Sequence, residues 1–355
     1  MLGPPSSAQT VAAPTKEEPI RKAAPKQAKK SSRAKAPQQG QQVGLFEELL
    51  EATPVLTMLW IPPGRFWMGS PETEPELRDS EGPQHLVQLQ GFFMSQTPIT
   101  QAQWREVAKW EEKPGETWQR DLEAHPSLFS NIGQSRILAD GNALRLLPSE
   151  KTWERRPVEN VDWNDAMEFC KRLSQRTGRH YTLPTEAQWE YACRAGTAKP
   201  FSFGDTLSAK LANYDAAHAY AYGAGSIGVH LQQTSPVGRY PANAWGLYDM
   251  HGNVREWCLD DWHPNYEGAP IDGIAWLYEG KPPKVMSRGN PDTWARTVVR
   301  GGSWRDRPIA CRSAARAYEL PGGGGYEDVG IRLVCLPYPG SLLKRSDQAQ
   351  GELYA

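Results

Sequence analysis

From Gly196 to Val334 the chain shows no helical period, and that absence constrains its fold more than any other feature. Short apolar runs are joined there by long connections rich in Gly, Pro and Asn. Connections of that kind are uncommon unless they carry function or are held by ions and local hydrogen bonds. Two segments punctuate the region. One is Gly246-Leu247-Tyr248-Asp249-Met250-His251-Gly252-Asn253-Val254-Arg255-Glu256-Trp257. The other, about forty residues on, is Val299-Arg300-Gly301-Gly302-Ser303-Trp304. A chain of 355 residues fits one large domain or two ordinary ones. Its 14 Trp, 32 Gly and 30 Pro suit loops and turns packed largely by aromatic side chains.

The first half carries the regular patterns. Residues 44–53 read as a short amphipathic turn leading into the domain. Met58-Leu59-Trp60-Ile61, Phe66-Trp67-Met68-Gly69-Ser70 and the alternating stretch His85 to Met94 read as strands. Thr100 with Gln103 is a capping box that opens a helix. The clearest helix runs from Asp162 to Thr177, with Ala166, Phe169, Cys170 and Leu173 on one face and Gly178 just past its end. A second runs from Glu186 to Ala195, boxed by Thr185 and Gln188 and ended by Gly196. Residues 113–150 read as a surface insertion. No internal repeat is present.

Charge is unevenly spread. Residues 1–43 hold eight basic side chains (Lys16, Arg21, Lys22, Lys26, Lys29, Lys30, Arg33, Lys35) against Glu17 and Glu18. That net of +6 leaves −7 for the rest of a chain whose total is −1. The segment is rich in Ala, Pro, Gln and Ser and too poor in apolar residues to offset its ordering entropy, so it is expected to be a disordered basic tail. It is either a solubilising linker or a tether to nucleic acid or another acidic partner. The residues from 339 to 355 are expected to form a flexible C-terminal tail. A total charge of −1 gives the whole chain no electrostatic pull toward nucleic acid or anionic membrane. No apolar run is long enough to span a bilayer. Met1 is not followed by the apolar core of a secretory signal. Cys170, Cys193, Cys258, Cys311 and Cys335 are odd in number and lack CxxC spacing, which points to free thiols and a cytoplasmic location.

Five segments, in order and spacing, resemble the sulfatase-modifying-factor, or formylglycine-generating enzyme, family. They are Phe66 to Ser70; Pro157-Val158-Glu159-Asn160-Val161-Asp162-Trp163; Leu183 to Ala192; Gly246 to Trp257; and the run from Arg300 to Val334. The resemblance spans roughly residues 54–338 and implies one domain over 44–338. The implied fold is α+β and C-type-lectin-like, with small antiparallel sheets, two main helices and much irregular structure. It also implies calcium, held by Asp249, Gly252, Val254 and Glu256. Two carboxylates and backbone carbonyls are oxygen donors of the kind that ion takes. A second family calcium site, starting at Asn213-Tyr214, would need an acidic residue where Val229 stands.

The family's oxidases place a cysteine pair just beyond the Gly-Gly-Ser-aromatic motif, where it binds Cu(I) through soft thiolates. Here the first of those positions is Asp306, and Cys311 stands alone. Another catalytic branch holds iron with three histidines. His85, His125, His180, His218, His230, His251 and His263 show no such spacing. Neither copper nor iron is therefore expected.

The C-terminal run resembles the variable proteins of diversity-generating retroelements more closely. Their fixed frame is matched by Arg300, Gly301, Gly302, Ser303, Trp304, Cys311, Arg312, Ser313, Ala314, Arg316, Pro321, Gly330 and Arg332. The resemblance implies a ligand-binding surface of exposed positions, Arg305, Asp306, Arg307, Ile309, Ala310, Ala315, Ala317, Tyr318, Glu319, Tyr326, Glu327 and Asp328, with Trp304 at its head. A rigid frame lets such side chains change and loses little entropy on binding. Glu319 cannot arise from an Asn codon by changes at adenine alone. The expected function is a non-catalytic module that binds a protein or small ligand. The alternatives are a degenerate enzyme with a solvated loop, or an oxidase and maturation factor acting on a peptidyl Cys or Ser.

Overall fold

The computed structural model describes residues 44–51, 55–130, 151–220, 227–278, 296–324 and 326–337. The expectations for the tail at 1–43, the C-terminal tail at 339–355 and most of the insertion at 131–150 lie outside those residues.

Two larger sheets and one hairpin carry the fold. The first sheet joins β1 (Leu45–Leu49), β2 (Val55–Ile61), β5 (Phe92–Ser95), β11 (Val334–Leu336) and β6 (His180–Thr182), in that spatial order. Every pairing in it is antiparallel. β11, from the far end of the domain, therefore lies between strands from its beginning and middle. The hairpin pairs β3 (Gly64–Met68) with β4 (His85–Leu89). The second sheet has the order β10 (Val329–Gly330), β7 (Arg255–Asp261), β8 (Thr297–Arg300), β9 (Arg316–Glu319). β10 runs parallel to β7, and the other two pairings are antiparallel.

Residues 44–53 depart from the sequence expectation. Leu45 to Leu49 form β1, not an amphipathic turn, because all five residues pair antiparallel with β2, with Phe46 and Glu48 half-buried and Leu45, Glu47 and Leu49 exposed. The stretch His85 to Met94 is also two strands, in different sheets. The break falls at Gly91, where an added Cβ would lie 2.3 Å from the Trp60 ring.

The helices follow their local signals. α1 (Gln101–Ala108) and α3 (Glu186–Arg194) each open on a complete capping box, Thr100 with Gln103 and Thr185 with Gln188. α2 (Trp163–Thr177) is capped by Asp162, boxed with Asp165, and closed by Gly178 in the left-handed region. At the end of α3, Ala195 takes that conformation one residue before Gly196. The predicted apolar face of α2 is buried, with Ala166, Phe169, Cys170 and Leu173 each no more than 1 % exposed. Phe169 stacks on Trp104 of α1 with ring centroids 5.1 Å apart. Burial of one such side chain contributes on the order of 1.5–3 kcal/mol. Two tryptophans lock α2 to β7: Trp163 Nε1 donates to the Cys258 carbonyl (2.9 Å) and Trp257 Nε1 to the Val161 carbonyl (3.0 Å). All five cysteines are free and buried.

Candidate binding surface

The four arginines of the C-terminal frame are its structural basis. Arg300, Arg312, Arg316 and Arg332 are at most 2 % exposed, and each meets a buried glutamate from earlier in the chain. Arg332 Nε donates to Glu256 Oε2 at 2.9 Å, and its other nitrogens donate to the Ser95 and Tyr248 carbonyls at 2.7 Å. Arg300 pairs with Glu190 (2.6 Å) and Arg316 with Glu186 (2.6 Å), both on α3. Arg312 holds Glu74 and Glu81 together, each at 2.6 Å. A buried arginine is strongly held once its donors are filled, because no water can take over from a partner that leaves. The segment between Arg300 and Arg332 is thus fastened at four points to α3, to β7 and to the loop between β3 and β4. Gly302, at φ 66°, tightens it further. A Cβ there would lie 2.6 Å from Cys311 Sγ and 2.9 Å from the Ala310 carbonyl oxygen.

At the centre of this segment Asp306 is spent on an ion pair. Arg255 Nη2 and Nε donate to its two oxygens at 2.7 and 2.8 Å, and Arg255 Nη1 donates to Glu319 at 3.0 Å. The Ser303 hydroxyl lies 2.9 Å from both Asp306 and Asp328. Burial raises the Asp306 carboxyl, but Arg255 and Ser303 outweigh it and hold the group below the usual carboxylate range. Glu319 moves the other way, raised by burial and by the neighbouring carboxylates in spite of Arg255. The Cys311 thiol is pushed well above its ordinary value by burial, with Asp306 nearby adding to the shift. His251 separates it from the buried Cys193. His251 Nδ1 donates to the Cys311 carbonyl (2.8 Å), while Nε2 accepts from the Ser202 amide (3.0 Å) and lies 3.7 Å from Cys193 Sγ. Burial pulls His251 down to about 4, so the ring is a neutral strut.

The thirteen residues expected to form the surface divide by exposure. Arg305, Arg307 and Tyr318 are exposed, and Asp306, Ile309, Ala310, Ala317, Glu319 and Tyr326 are half-buried. The other four are at most 8 % exposed: Ala315, Glu327 and Asp328, expected to be exposed, and Trp304, which belongs to the frame as well as to the expected surface. Trp304 is buried because Phe129 meets its ring edge-on at 5.3 Å and His230 lies across it. Glu327 and Asp328 turn inward to Arg305 and Ser303. Residues 127–130, within the expected surface insertion, are buried as well, and the Leu128 and Phe129 backbone amides donate hydrogen bonds to the Glu159 carboxylate. Sequence reading missed Phe129, Asp215, His230 and Arg255 as parts of this surface. Nothing local marks them, since each reaches Trp304 or Asp306 across at least 51 residues of chain.

The loop before β7 bears on calcium. Asp249, Gly252 and Asn253 all have positive φ, and a Cβ on Gly252 would lie 2.3 Å from the Asn213 carbonyl oxygen. Asp249 accepts from the Gly238 amide (2.8 Å), and burial pushes it up to about 6. The Asn213 Oδ1 atom beside this loop is buried and has no hydrogen-bond donor. Asn213 Oδ1 is the orphaned oxygen here, whereas the Asp249 carboxylate accepts from the Gly238 amide and from Asn253 Nδ2 (3.4 Å). A cation of the kind the family implies would be held through Asp249 with the Gly252 and Val254 carbonyls. Glu256 enters that set as a carboxylate already shared with Arg332 and with Trp189 Nε1 (2.7 Å).

The small curled sheets, the capped helices and the arginine-fastened C-terminal segment define a formylglycine-generating-enzyme-like domain. A profile described as "Sulfatase-modifying factor enzyme 1-like domain" matches residues 45–336, and the chain belongs to that family. Among solved structures, PvdO from Pseudomonas aeruginosa superposes with a TM-score of 0.60 at 29% identity, covering 84% of this chain and 100% of the other. Treponema denticola variable protein 1 superposes at 0.55 with 23% identity, covering 82% and 99%, a likeness of fold alone. In sequence, the formylglycine-generating enzyme of Mycobacterium tuberculosis is 28% identical over 316 residues, 79% of this chain and 98% of its own. A Chlamydia caviae protein named serine/threonine-protein kinase pkn1 is 29% identical over 278 residues, 78% of this chain. The chain spans only about two fifths of the length of the chlamydial relatives. Among the described residues no helix is long and apolar enough to cross a membrane.

Proposed function

We propose that this domain is a non-catalytic binding module whose ligand meets the surface carried by residues 304–328. One observation supports it above the others. Asp306 stands where the oxidases carry their first cysteine and is tied to Arg255 by two hydrogen bonds, so the position holds an ion pair in place of a thiolate. Around that pair the frame is pinned by buried arginines, while Arg305, Arg307 and Tyr318 face outward from it. Rigid positioning of exposed Arg and Tyr side chains is what a binding surface needs.

The calcium role implied by the family goes with this reading as a stiffener of the loop before β7, held by Asp249 and the Gly252 and Val254 carbonyls. The competing reading is an oxidase acting on a peptidyl Cys or Ser. The two are separated by incubating the purified chain with Cu(I), oxygen and a Cys-x-Pro-x-Arg peptide and following the peptide mass. No aldehyde product is expected. Product above the metal-free control, lost on Cys311→Ala, would overturn the binding reading.

A further inference from the structure

The charged groups of the surface are sorted by depth. Most of its carboxylates point inward, and two of its guanidinium groups, Arg305 and Arg307, face outward. Asp306 and Asp215 side chains are 15% exposed, Glu327 11% and Asp328 8%, each facing an arginine, histidine or serine partner. The Arg305 side chain is 45% exposed, lies over the Trp304 ring at 5.6 Å and makes one contact, to Glu327. Arg307 is exposed, and among the described residues its guanidinium has no ion pair or hydrogen bond.

The segment that His230 ties to this loop carries an exposed aliphatic pair. Ile227 and Val229 are 72% and 75% exposed. They flank Gly228, whose amide donates to the Ala216 carbonyl at 2.7 Å. Gly228 is pressed so close to the body that a Cβ would sit 2.5 Å from the Ala209 Cβ, which leaves its two neighbours facing solvent. The next residue, His230, fastens this segment to the arginine loop. Its Nε2 lies 3.0 Å from the Trp304 carbonyl, and its Nδ1 lies 3.2 Å from Asp215, which also meets His218 at 2.8 Å. The Asp215 amide donates to the Asp306 carbonyl at 2.8 Å. Segments 227–230 and 304–307 therefore form one continuous patch.

We propose that this patch binds an acidic peptide segment in which carboxylate side chains alternate with apolar ones. The proposal rests on the binding reading and names its ligand class. Exposed guanidinium groups take carboxylates through paired N–H donors, and Ile227 and Val229 offer apolar area on the segment that His230 ties to theirs. Nucleic acid is a poorer match. It is held by contacts to many phosphates, and this patch offers two exposed arginines.

The test is fluorescence anisotropy on the full chain with four labelled probes. They are a 12-residue Glu/Leu/Trp peptide, its Lys-for-Glu counterpart, a Ser/Leu/Trp peptide and a 12-nucleotide oligo-dT. The acidic peptide should bind best and weaken with salt. R305E/R307E should weaken it at least tenfold, and I227S/V229S severalfold. R65E, on the distant hairpin, should not change it. Acidic-peptide binding equal in wild type and R305E/R307E would assign it to the basic residues before 44 and overturn the proposal. Preference for the basic peptide or for oligo-dT would overturn it too. Peptides selected without charge bias from a display library distinguish the two levels. If selected ligands are neutral or basic but still lost in R305E/R307E, the binding surface stands and its acidic specificity falls. If selected ligands are indifferent to both double variants, the surface itself falls.

Discussion

Arg312 shows how much of this structure hangs on single buried charges. It is fully buried between Glu74 and Glu81, and burial already raises Glu74 despite Arg312. Replacing a buried ion pair whole can be neutral, but removing one partner strands the other without water. Arg312→Met is therefore expected to destabilise the domain by about 3–5 kcal/mol, measured by urea denaturation. The triple variant with Glu74→Gln and Glu81→Gln should recover part of that loss. A loss for Arg312→Met below about 1 kcal/mol would mean that water reaches the pair and that the frame is not fastened as described. At this scale the sequence showed which residues matter but not what they touch. Arg300, Arg312, Arg316 and Arg332 stood out as a fixed set, yet their glutamates lie between 76 and 238 residues away, or on α3 more than 100 residues before them. No local pattern encodes such partners. The same holds for Trp304, whose ring meets Phe129 from a segment read as an insertion.

Among elements, those whose hydrogen bonds close within the segment were legible. Thr100 and Thr185 cap their helices as the sequence indicated, because a capping box needs only four consecutive residues, whereas Asp162, read as the first residue of its helix, is that helix's cap. β1 was not legible, since a strand is defined by a partner and β2 supplies it from beyond the turn. The contact between β7 and α3 is likewise non-local. Asp260 on β7 accepts from the Glu186 amide in the first turn of α3 (2.7 Å) and from the Trp276 amide (2.9 Å). Burial, reinforced by the Glu186 carboxylate, pushes Asp260 up to about 7. The folded state therefore holds a proton that the unfolded chain, with an Asp near 3.9, has released. The contribution is full below about pH 4 and is lost as pH rises through 7. Asp260→Asn cannot ionise, so the fall in melting temperature between pH 5 and 7.5 should flatten in that variant. A slope identical to wild type would show that Asp260 is ionised across that range.

At the scale of the molecule, ionic cross-links replace much of the regular structure that the region from Gly196 onward lacks. Calcium at the loop before β7 would add one more. Binding to the folded state alone raises stability by about 2.7 kcal/mol at a hundred times Kd, so the melting temperature of chelator-stripped protein should climb with added Ca2+. Asp249→Asn should abolish the climb. A melting temperature indifferent to millimolar Ca2+ and to EDTA would leave the buried arginines as the frame's stiffening.

The sequence by itself determined the family, the α+β class, the helix starts at Thr100 and Thr185 and the presence of Asp at position 306, because these are written in short motifs and local periods. The tertiary structure alone decided which members of the C-terminal run face solvent. It also decided that Arg255 occupies Asp306 and that His230 ties the segment bearing Ile227 and Val229 to the Trp304 carbonyl. Burial and charge pairing depend on which distant segments the packed chain brings within a few ångströms, and that is a property of the whole fold.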